Sequence, residues 1–212
     1  MITKKTAKKI INILREEYPD CRCSLDFSTP FQMLISVMLS AQCTDERVNK
    51  VTPALFKKYP TPFEMEKADI LDLEKLIYSC GFYKNKAKNM KECSKVLVEK
   101  YNGDVPSTMK ELQSLPGVGR KSANVIMLEA FHNPQGIAVD THAKRISNRI
   151  GFSNEHDPEK IEKDLLKVVE KEDYFDANHL FVWHGRLTCS SQKPKCEKCC
   201  VSKLCKFYSN SK

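Results

Sequence analysis

Four cysteines lie close together near the C-terminus, at Cys189, Cys196, Cys199 and Cys205. Four thiolates at the spacing C-x6-C-x2-C-x5-C form the ligand set of a zinc ion or an iron–sulfur cluster. Zinc ribbons have two C-x2-C pairs, whereas this array has one, so the spacing favours a [4Fe–4S] cluster. Four unligated thiols are a third interpretation. We expect Cys200, which directly follows Cys199, to point away from the group.

The segment Leu115–Lys121 (LPGVGRK) has the composition of a turn between two helices. Met109, Leu112 and Leu115 predict an apolar face on the first helix, and the second begins near Arg120 or Lys121. Glycines beside the free N–H groups at a helix start let a phosphate approach closely, whatever the base sequence. A plain helical hairpin with a glycine cap is the alternative. The residues that would hold the phosphate are Gly117, Val118, Gly119 and Arg120.

Lys121 is the candidate nucleophile of this hairpin. At a helix N-terminus the positive end of the helix dipole disfavours the protonated amine, and partial burial would strengthen that effect. A neutral amine can attack an electrophilic sugar carbon and form a Schiff base. The alternative interpretation is a solvated surface charge, which is the common state of lysine in a lysine-rich chain.

Asp140 is the carboxylate that could serve this lysine. It follows an apolar run and precedes Thr141, so we expect it to cap a helix over 141–150. A carboxylate could also stabilise positive charge that develops on a sugar, or accept protons in the steps after Lys121 attacks. Both interpretations of Asp140 stand at this stage.

The elements that position these residues are predicted to be helices almost throughout. Thr29-Pro30 begins one helix, with proline at its first position, and Asp157-Pro158 begins another. Strand signals are nearly absent, and we expect the short run 136–139 to be a connector. The pattern therefore predicts an all-α fold.

The composition limits the class of protein. The chain has 212 residues, 41% of them hydrophobic, and a formal net charge of +8. This length accommodates one large or two small domains, and the charge suits a polyanion such as nucleic acid. The N-terminus lacks a signal peptide, and the apolar stretch 31–41 is too short to span a bilayer. Cysteines grouped at one end indicate metal ligands in a cytoplasmic protein rather than disulfides.

Together these motifs resemble the endonuclease III family, the bifunctional DNA glycosylase/AP lyases of the helix-hairpin-helix superfamily. The resemblance extends over essentially the whole chain, with the motifs in the family's order and spacing. It rests on Leu39–Asp45 (LSAQCTD), Leu115–Lys121, Val139–His142 (VDTH), Trp183–Arg186 (WHGR) and the four cysteines of the array.

The resemblance implies an all-α fold of two domains with DNA in the cleft between them. One domain is a six-helix bundle over 23–136 that contains the helix-hairpin-helix at about 107–130. The other joins 1–22 to 137–212 and holds a [4Fe–4S] cluster in the loop 189–205. The implied activity is base excision repair: an oxidised pyrimidine is flipped out, Lys121 attacks C1′ with help from Asp140, and β-elimination cuts the strand 3′ to the lesion.

The resemblance also implies the DNA contacts. Gln42 and Phe82 match the positions from which family members fill the hole that the flipped base leaves. Phe82 departs from the family pattern, which has an aliphatic residue there. Lys193 and Lys195 belong to a lysine-rich loop that could meet the phosphate backbone. The implied partner is double-stranded DNA with damaged pyrimidines or abasic sites, bound by a monomer without membrane contact, at the nucleoid if the source is prokaryotic.

Three other classes share parts of this pattern. A monofunctional adenine glycosylase of the superfamily has the hairpin, aspartate and cluster but no lysine at the position of Lys121. It also has a further C-terminal domain, whereas this chain ends at Lys212. A non-catalytic helix-hairpin-helix module would need neither Lys121 nor Asp140. A small iron–sulfur electron carrier would need the cysteines but not the glycine turn.

Overall fold

The computed structural model describes residues 1–210, and over these residues it is helical, with no β-strand. This confirms the all-α prediction, and 136–139 is a connector. None of the described helices is long and apolar enough to cross a membrane. The described α-helices are α1 (Lys4–Glu17), α2 (Pro30–Ser40), α3 (Asp45–Lys58), α4 (Pro62–Glu66), α5 (Ile70–Leu76), α6 (Tyr83–Tyr101), α7 (Met109–Leu112), α8 (Arg120–Glu129), α9 (Thr141–Ile150), α10 (Pro158–Val168), α11 (Tyr174–Leu187) and α12 (Lys206–Ser209), with 3₁₀ turns at Lys171–Asp173, Cys196–Lys198 and Ser202–Leu204.

The chain divides into two compact units. The internal unit is Cys23–Asn133, and the terminal unit joins Met1–Arg22 to the chain from Pro134 onward. Each unit has its own cluster of buried apolar side chains. Each of the two therefore has the hydrophobic core that a helical unit needs for stability.

Helix α2 is the centre of the internal unit. Eight of its eleven residues are buried, so it is covered on nearly all sides, and it packs against α3, α6 and α8. The Thr29 side chain accepts a hydrogen bond from the Gln32 backbone at 3.2 Å, and Pro30 occupies the first helical position, as predicted. This buried helix ends at Ser40, immediately before the loop that contains Gln42.

The terminal unit is held by apolar packing and by one buried carboxylate. Asp173 is 2% exposed and accepts hydrogen bonds from Lys8 at 2.8 Å and from Arg15 at 3.0 Å. These bonds join α1 to the start of α11. An unpaired buried carboxylate would be costly, so the two cations are needed for this packing. The Asp157 cap of α10 is present as predicted, on the backbone of Lys160 at 3.1 Å.

The first hairpin helix is shorter than the apolar pattern predicts. Helix α7 covers only Met109–Leu112, and Leu115 lies beyond it. After Leu112 the hydrogen bonds span three residues instead of four, as in a 3₁₀ turn. The Ser114 N–H bonds the Glu111 carbonyl at 3.0 Å, and the Leu115 N–H bonds the Leu112 carbonyl at 3.1 Å. Leu115 therefore keeps its buried position on the apolar face without belonging to an α-helix.

Glu129, the last residue of α8, is 8% exposed, and burial raises the pKa of its carboxyl to about 7. In the unfolded chain we expect the same group to titrate near its ordinary value of 4.5. Between these two pH values the folded protein holds a proton that the unfolded chain has lost. The free energy of unfolding therefore falls as the pH rises through this window.

We expect Glu129→Gln to be more stable than the wild type at pH 8 by about 1–2 kcal/mol, because a neutral amide has no proton to lose; the cost of burying the amide offsets part of the full shift. The difference should shrink toward pH 5. Urea unfolding across that range measures it, with the exposed Glu99→Gln as control. A Glu129→Gln effect that is the same at every pH would contradict this account.

Candidate nucleic-acid interface and metal centre

The two glycines of the hairpin have different roles. Gly117 has a φ of 79°, and a Cβ there would lie 3.0 Å from the Met38 Cε and 3.1 Å from Asn89. Gly119 has a φ of −89°, and a Cβ there would meet nothing within 4 Å. The fold itself therefore requires glycine at 117 but not at 119. A glycine at 119 leaves open space in front of the first turn of α8.

The start of α8 is also uncapped. Five of the seven described helices in the internal unit begin after a Thr or Asp whose side chain bonds a first-turn N–H: Thr29, Thr44, Thr61, Asp69 and Thr108. The other two, α6 and α8, begin after Phe82 and Gly119, without a side-chain cap. No capping side chain occupies these two helix starts, and the helix dipoles favour an anion there.

One groove lies between the start of α6 and the turn that precedes α8. Its lining is Met38, Ala41, Gln42, Phe82, Asn85, Lys86, Asn89 and Gly117, and its volume is about 200 Å³. Gln42 and Phe82 are both exposed, and both have a left-handed backbone, with φ of 52° and 55°. This conformation costs a non-glycine residue about 1 kcal/mol or more and is typical of functional loops. The groove thus brings together the predicted pair Gln42 and Phe82 and the hairpin residue Gly117.

The other predicted residues of the hairpin are placed in different ways. Val118 is buried, so its side chain belongs to the core and only its backbone can face a ligand. Arg120 and Lys121 are exposed on the first turn of α8. The chain itself does not bury Lys121, so the partial burial that would lower the charge on its amine is absent. The lysine is open to solvent and to anything that binds at this helix start.

Asp140 caps α9, as predicted. Its carboxylate accepts a hydrogen bond from the Ala143 backbone at 2.7 Å, and the residue is half-buried. The cap fixes the carboxylate at the N-terminal end of α9 in the terminal unit. Asp140 therefore has a structural role as a helix cap. Because the residue remains partly exposed, the same carboxylate can also contact a ligand.

The four cysteines of the array lie around one cavity of the terminal unit. Cys189, Cys196, Cys199 and Cys205 all line it. Apolar side chains complete the wall, among them Ile150 and Val201. Cys200 is exposed and is not among the lining residues, although the interaction between its thiol and that of Cys199 lowers the pKa of Cys200 and raises the pKa of Cys199. Four thiols on one largely apolar cavity fit an iron–sulfur cluster, which takes thiolate ligands and is shielded from water.

His184 is the buried polar neighbour of this cavity. The residue is 1% exposed; its Nδ1 lies 3.0 Å from the Tyr18 hydroxyl, and its Nε2 lies 3.7 Å from the Cys199 sulfur. The same hydroxyl lies 2.8 Å from the Thr188 side chain. Partners of this kind fix the orientation of a cysteine beside a metal group.

Two arginines of α9 hold the cysteine loop, and sequence analysis did not identify them. Arg145 donates to the Cys189 carbonyl at 2.9 Å and to the Gly185 carbonyl at 2.8 Å. Arg149 donates to the Ser190 carbonyl at 2.7 Å and lies 3.4 Å from the Cys189 sulfur. Their i, i+4 spacing on one helix face was the only signal in the sequence.

Gly185 explains part of the WHGR motif. A Cβ at this position would lie 2.8 Å from the His142 Nδ1 and 3.1 Å from Arg145. Glycine therefore lets α11 pack closely against α9.

Lys193 and Lys195 of the following loop are exposed, and the Lys195 amine donates to the Leu187 carbonyl at 3.1 Å.

Comparison with known proteins gives a consistent result over nearly the whole chain. The family model for HhH-GPD superfamily base excision DNA repair proteins matches residues 35–171. The chain is 46% identical to endonuclease III of Synechocystis over 202 residues, which is 95% of this chain and 92% of that protein. It is 41% identical to endonuclease III of Escherichia coli K12 over 206 residues, 97% of either chain.

Solved structures agree with the sequence relatives. A trapped endonuclease III–DNA covalent intermediate superposes with a TM-score of 0.93 at 42% identity, covering 100% of this chain and 99% of that one. A thermostable thymine-DNA glycosylase superposes with a TM-score of 0.88 at 26% identity, covering 97% and 98%.

The two glycines give a matched pair of substitutions. We expect Gly119→Ala to weaken binding to undamaged duplex DNA by about five-fold or more, with little change in stability, because the methyl group fills the space before the helix start. Gly117→Ala should instead lower the free energy of unfolding by about 1–2 kcal/mol, because its φ is positive. Fluorescence anisotropy and urea unfolding measure the two effects. Unchanged DNA affinity in Gly119→Ala would rule out this helix start as a phosphate site.

Proposed function

The chain belongs to the endonuclease III family of the HhH-GPD superfamily of base excision DNA repair proteins, and we propose that it removes oxidised pyrimidines from duplex DNA. It is a DNA glycosylase/AP lyase, as its relatives and family show. The observation that supports a lysine-based mechanism is the uncapped start of α8, where the exposed Lys121 lies two residues after Gly119.

DNA is held by its backbone at the hairpin. A phosphate approaches the first-turn N–H groups of α8 through the space that Gly119 leaves open. Gly117, Val118 and Arg120 contribute backbone or side-chain donors around it. Lys193 and Lys195 add positive charge from the cysteine loop. Such contacts position the enzyme on any sequence and leave the choice of lesion to the base pocket.

The lesion leaves the helix, and side chains replace it. Gln42 and Phe82 project from the two left-handed loop positions beside the groove, where their φ angles hold them in place. Their insertion offsets the loss of stacking when the damaged nucleotide is extruded. An aromatic ring at position 82 can stack on a neighbouring base, which an aliphatic side chain does not do in the same way.

Lys121 performs the bond-forming step. Its Nζ bonds to C1′ of the extruded nucleotide while the bond from C1′ to the base breaks, and ring opening yields a Schiff base. The Asp140 carboxylate stabilises positive charge on the sugar and accepts protons in the following steps. Loss of a C2′ proton then expels the 3′ phosphate oxygen, which cuts the strand 3′ to the lesion. The chain alone leaves the Lys121 amine exposed to water. The bound DNA is therefore what shields the amine from water during the reaction.

Cys189, Cys196, Cys199 and Cys205, which line one cavity, would hold a [4Fe–4S] cluster. The bound cluster supplies a rigid, multiply ligated centre for a loop that otherwise has little regular structure. Arg149 and His184 orient the ligands from the protein side. We place the enzyme in the cytoplasm as a monomer that acts on double-stranded DNA, with its activity directed to damaged pyrimidines and abasic sites.

The nucleophile is tested by trapping. Borohydride added to the enzyme and abasic-site DNA should yield a covalent adduct, and Lys121→Ala should reduce its yield by about 100-fold or more, because the Schiff base can no longer form. Lys110→Ala, another exposed lysine of the hairpin, is the control and should trap at the wild-type level. Denaturing electrophoresis measures the yield. Full trapping by Lys121→Ala would show that a different amine reacts.

The cofactor is tested by paired cysteine substitutions. We expect Cys196→Ala to lower bound iron and the visible absorbance of the purified protein, because one of four ligands is lost. Cys200→Ala should retain both, since its side chain is exposed outside the cavity. Elemental analysis for iron and zinc, with absorption spectra, decides the outcome. A colourless wild-type protein with one zinc would overturn the cluster assignment.

A further inference from the structure

Two cysteines outside the array lie within two residues of the two predicted DNA-inserting residues. Cys43 follows Gln42 in the turn after α2, where its N–H bonds the Ser40 carbonyl at 3.1 Å. Cys80 is two residues before Phe82 in the turn after α5, where its N–H bonds the Ile77 carbonyl at 2.8 Å. Both are free thiols, and the function described above makes no use of them.

The two turns touch each other at this point. A Cβ built on Gly81 would lie 3.4 Å from the Gln42 carbonyl oxygen, so the two turns pass close to each other. Cys43 is among the groups that raise the pKa of the Cys80 thiol, after burial, which agrees with the closeness of the two turns. Cys80 is fully buried, whereas Cys43 is partly exposed. An oxidant from solvent can therefore reach Cys43, and the buried thiol is available only to its neighbour.

A buried cation accompanies this pair. Lys86 is 7% exposed, donates to the Leu39 carbonyl at 2.8 Å and lines the same groove as Gln42 and Phe82. Burial lowers the pKa of Lys86, while the charges of Cys43 and Cys80 act in the opposite direction, so both sulfurs lie within its field. Burial raises the pKa of Cys80 to about 11. The partly exposed Cys43 is therefore the thiol that an oxidant from solvent reaches first.

We propose that Cys43 and Cys80 are a redox modification site that takes a hydroperoxide and closes into a reversible disulfide between the two DNA-inserting loops. The peroxide transfers an oxygen to the Cys43 sulfur, which becomes a sulfenic acid, and leaves as water or an alcohol. The Cys80 sulfur then bonds to the Cys43 sulfur and releases a second water. The peroxide is reduced by two electrons, the two thiols are oxidised by the same number, and a dithiol reductant restores them.

The disulfide would alter DNA engagement, and this part of the proposal rests on the function proposed above. An S–S bond is about 2 Å long, shorter than a contact between two thiols, so the turns must shift to form it. Gln42 and Phe82 are one and two residues from these sulfurs and must move with them. A displacement of about 1 Å in a positioning residue is enough to slow catalysis strongly.

The modification itself is tested without any activity measurement. The holoenzyme is treated with stoichiometric hydrogen peroxide, its remaining thiols are alkylated, and the digest is analysed by mass spectrometry. Visible absorbance is followed in parallel so that loss of the cluster is detected. We expect a Cys43–Cys80 linked peptide in the wild type and in Cys23→Ala, a control thiol of the same unit. Absence of that peptide in a protein whose other cysteines do react would overturn the proposal.

The consequence is tested on abasic-site DNA. Oxidised wild type should cleave it at least about three-fold more slowly than the reduced enzyme, and dithiothreitol should restore the rate. Cys43→Ala and Cys80→Ala should each cleave abasic-site DNA at the same rate before and after treatment with peroxide. A disulfide that forms without any change in cleavage would refute the coupling to DNA. A reduced wild type that does not cleave abasic DNA at all would instead refute the proposed function, while the peptide result would stand.

Discussion

The proposed activity depends on backbone N–H groups at two helix starts that no side chain caps. In the internal unit, helix starts are normally closed by a Thr or Asp side chain, but α6 and α8 begin without one, at Phe82 and Gly119. Gly119 also keeps the space before α8 open, although the fold does not need glycine there. A helix start in this condition binds anions through its N–H groups and its dipole. The position of Lys121 on that first turn puts the proposed nucleophile where an anion would bind.

Helix α9 has a corresponding role in the terminal unit. Asp140 caps its N-terminus, while Arg145 and Arg149 further along the same helix hold the loop of the cysteine array. Close packing of α11 against α9 requires Gly185, and His184 on α11 contacts both Tyr18 and Cys199. One short helix therefore fixes a carboxylate at one end and the walls of the cysteine cavity along its side.

Local patterns predicted what local forces determine. The helix starts at Pro30, Thr141 and Pro158 follow from side chains within three residues, and the cysteine spacing identified the members of the cavity. Contacts between distant segments produce no local sequence pattern from which they could be predicted. Arg149 with Cys189, His184 with Tyr18 and Lys86 with the Leu39 carbonyl join residues that are 40 or more positions apart. The exposure of Lys121 was not predictable either, because it depends on what surrounds the hairpin in space.

The central claim is that the amine of Lys121 bonds to the deoxyribose, and peptide mapping of the wild-type adduct tests it most directly. After borohydride reduction and nuclease digestion, the protein is proteolysed and the residue that retains the sugar remnant is located by tandem mass spectrometry. The account predicts the added mass on Lys121, with cleavage by trypsin blocked at that position. A remnant on the N-terminal amine or on any other lysine, with Lys121 unmodified, would contradict it.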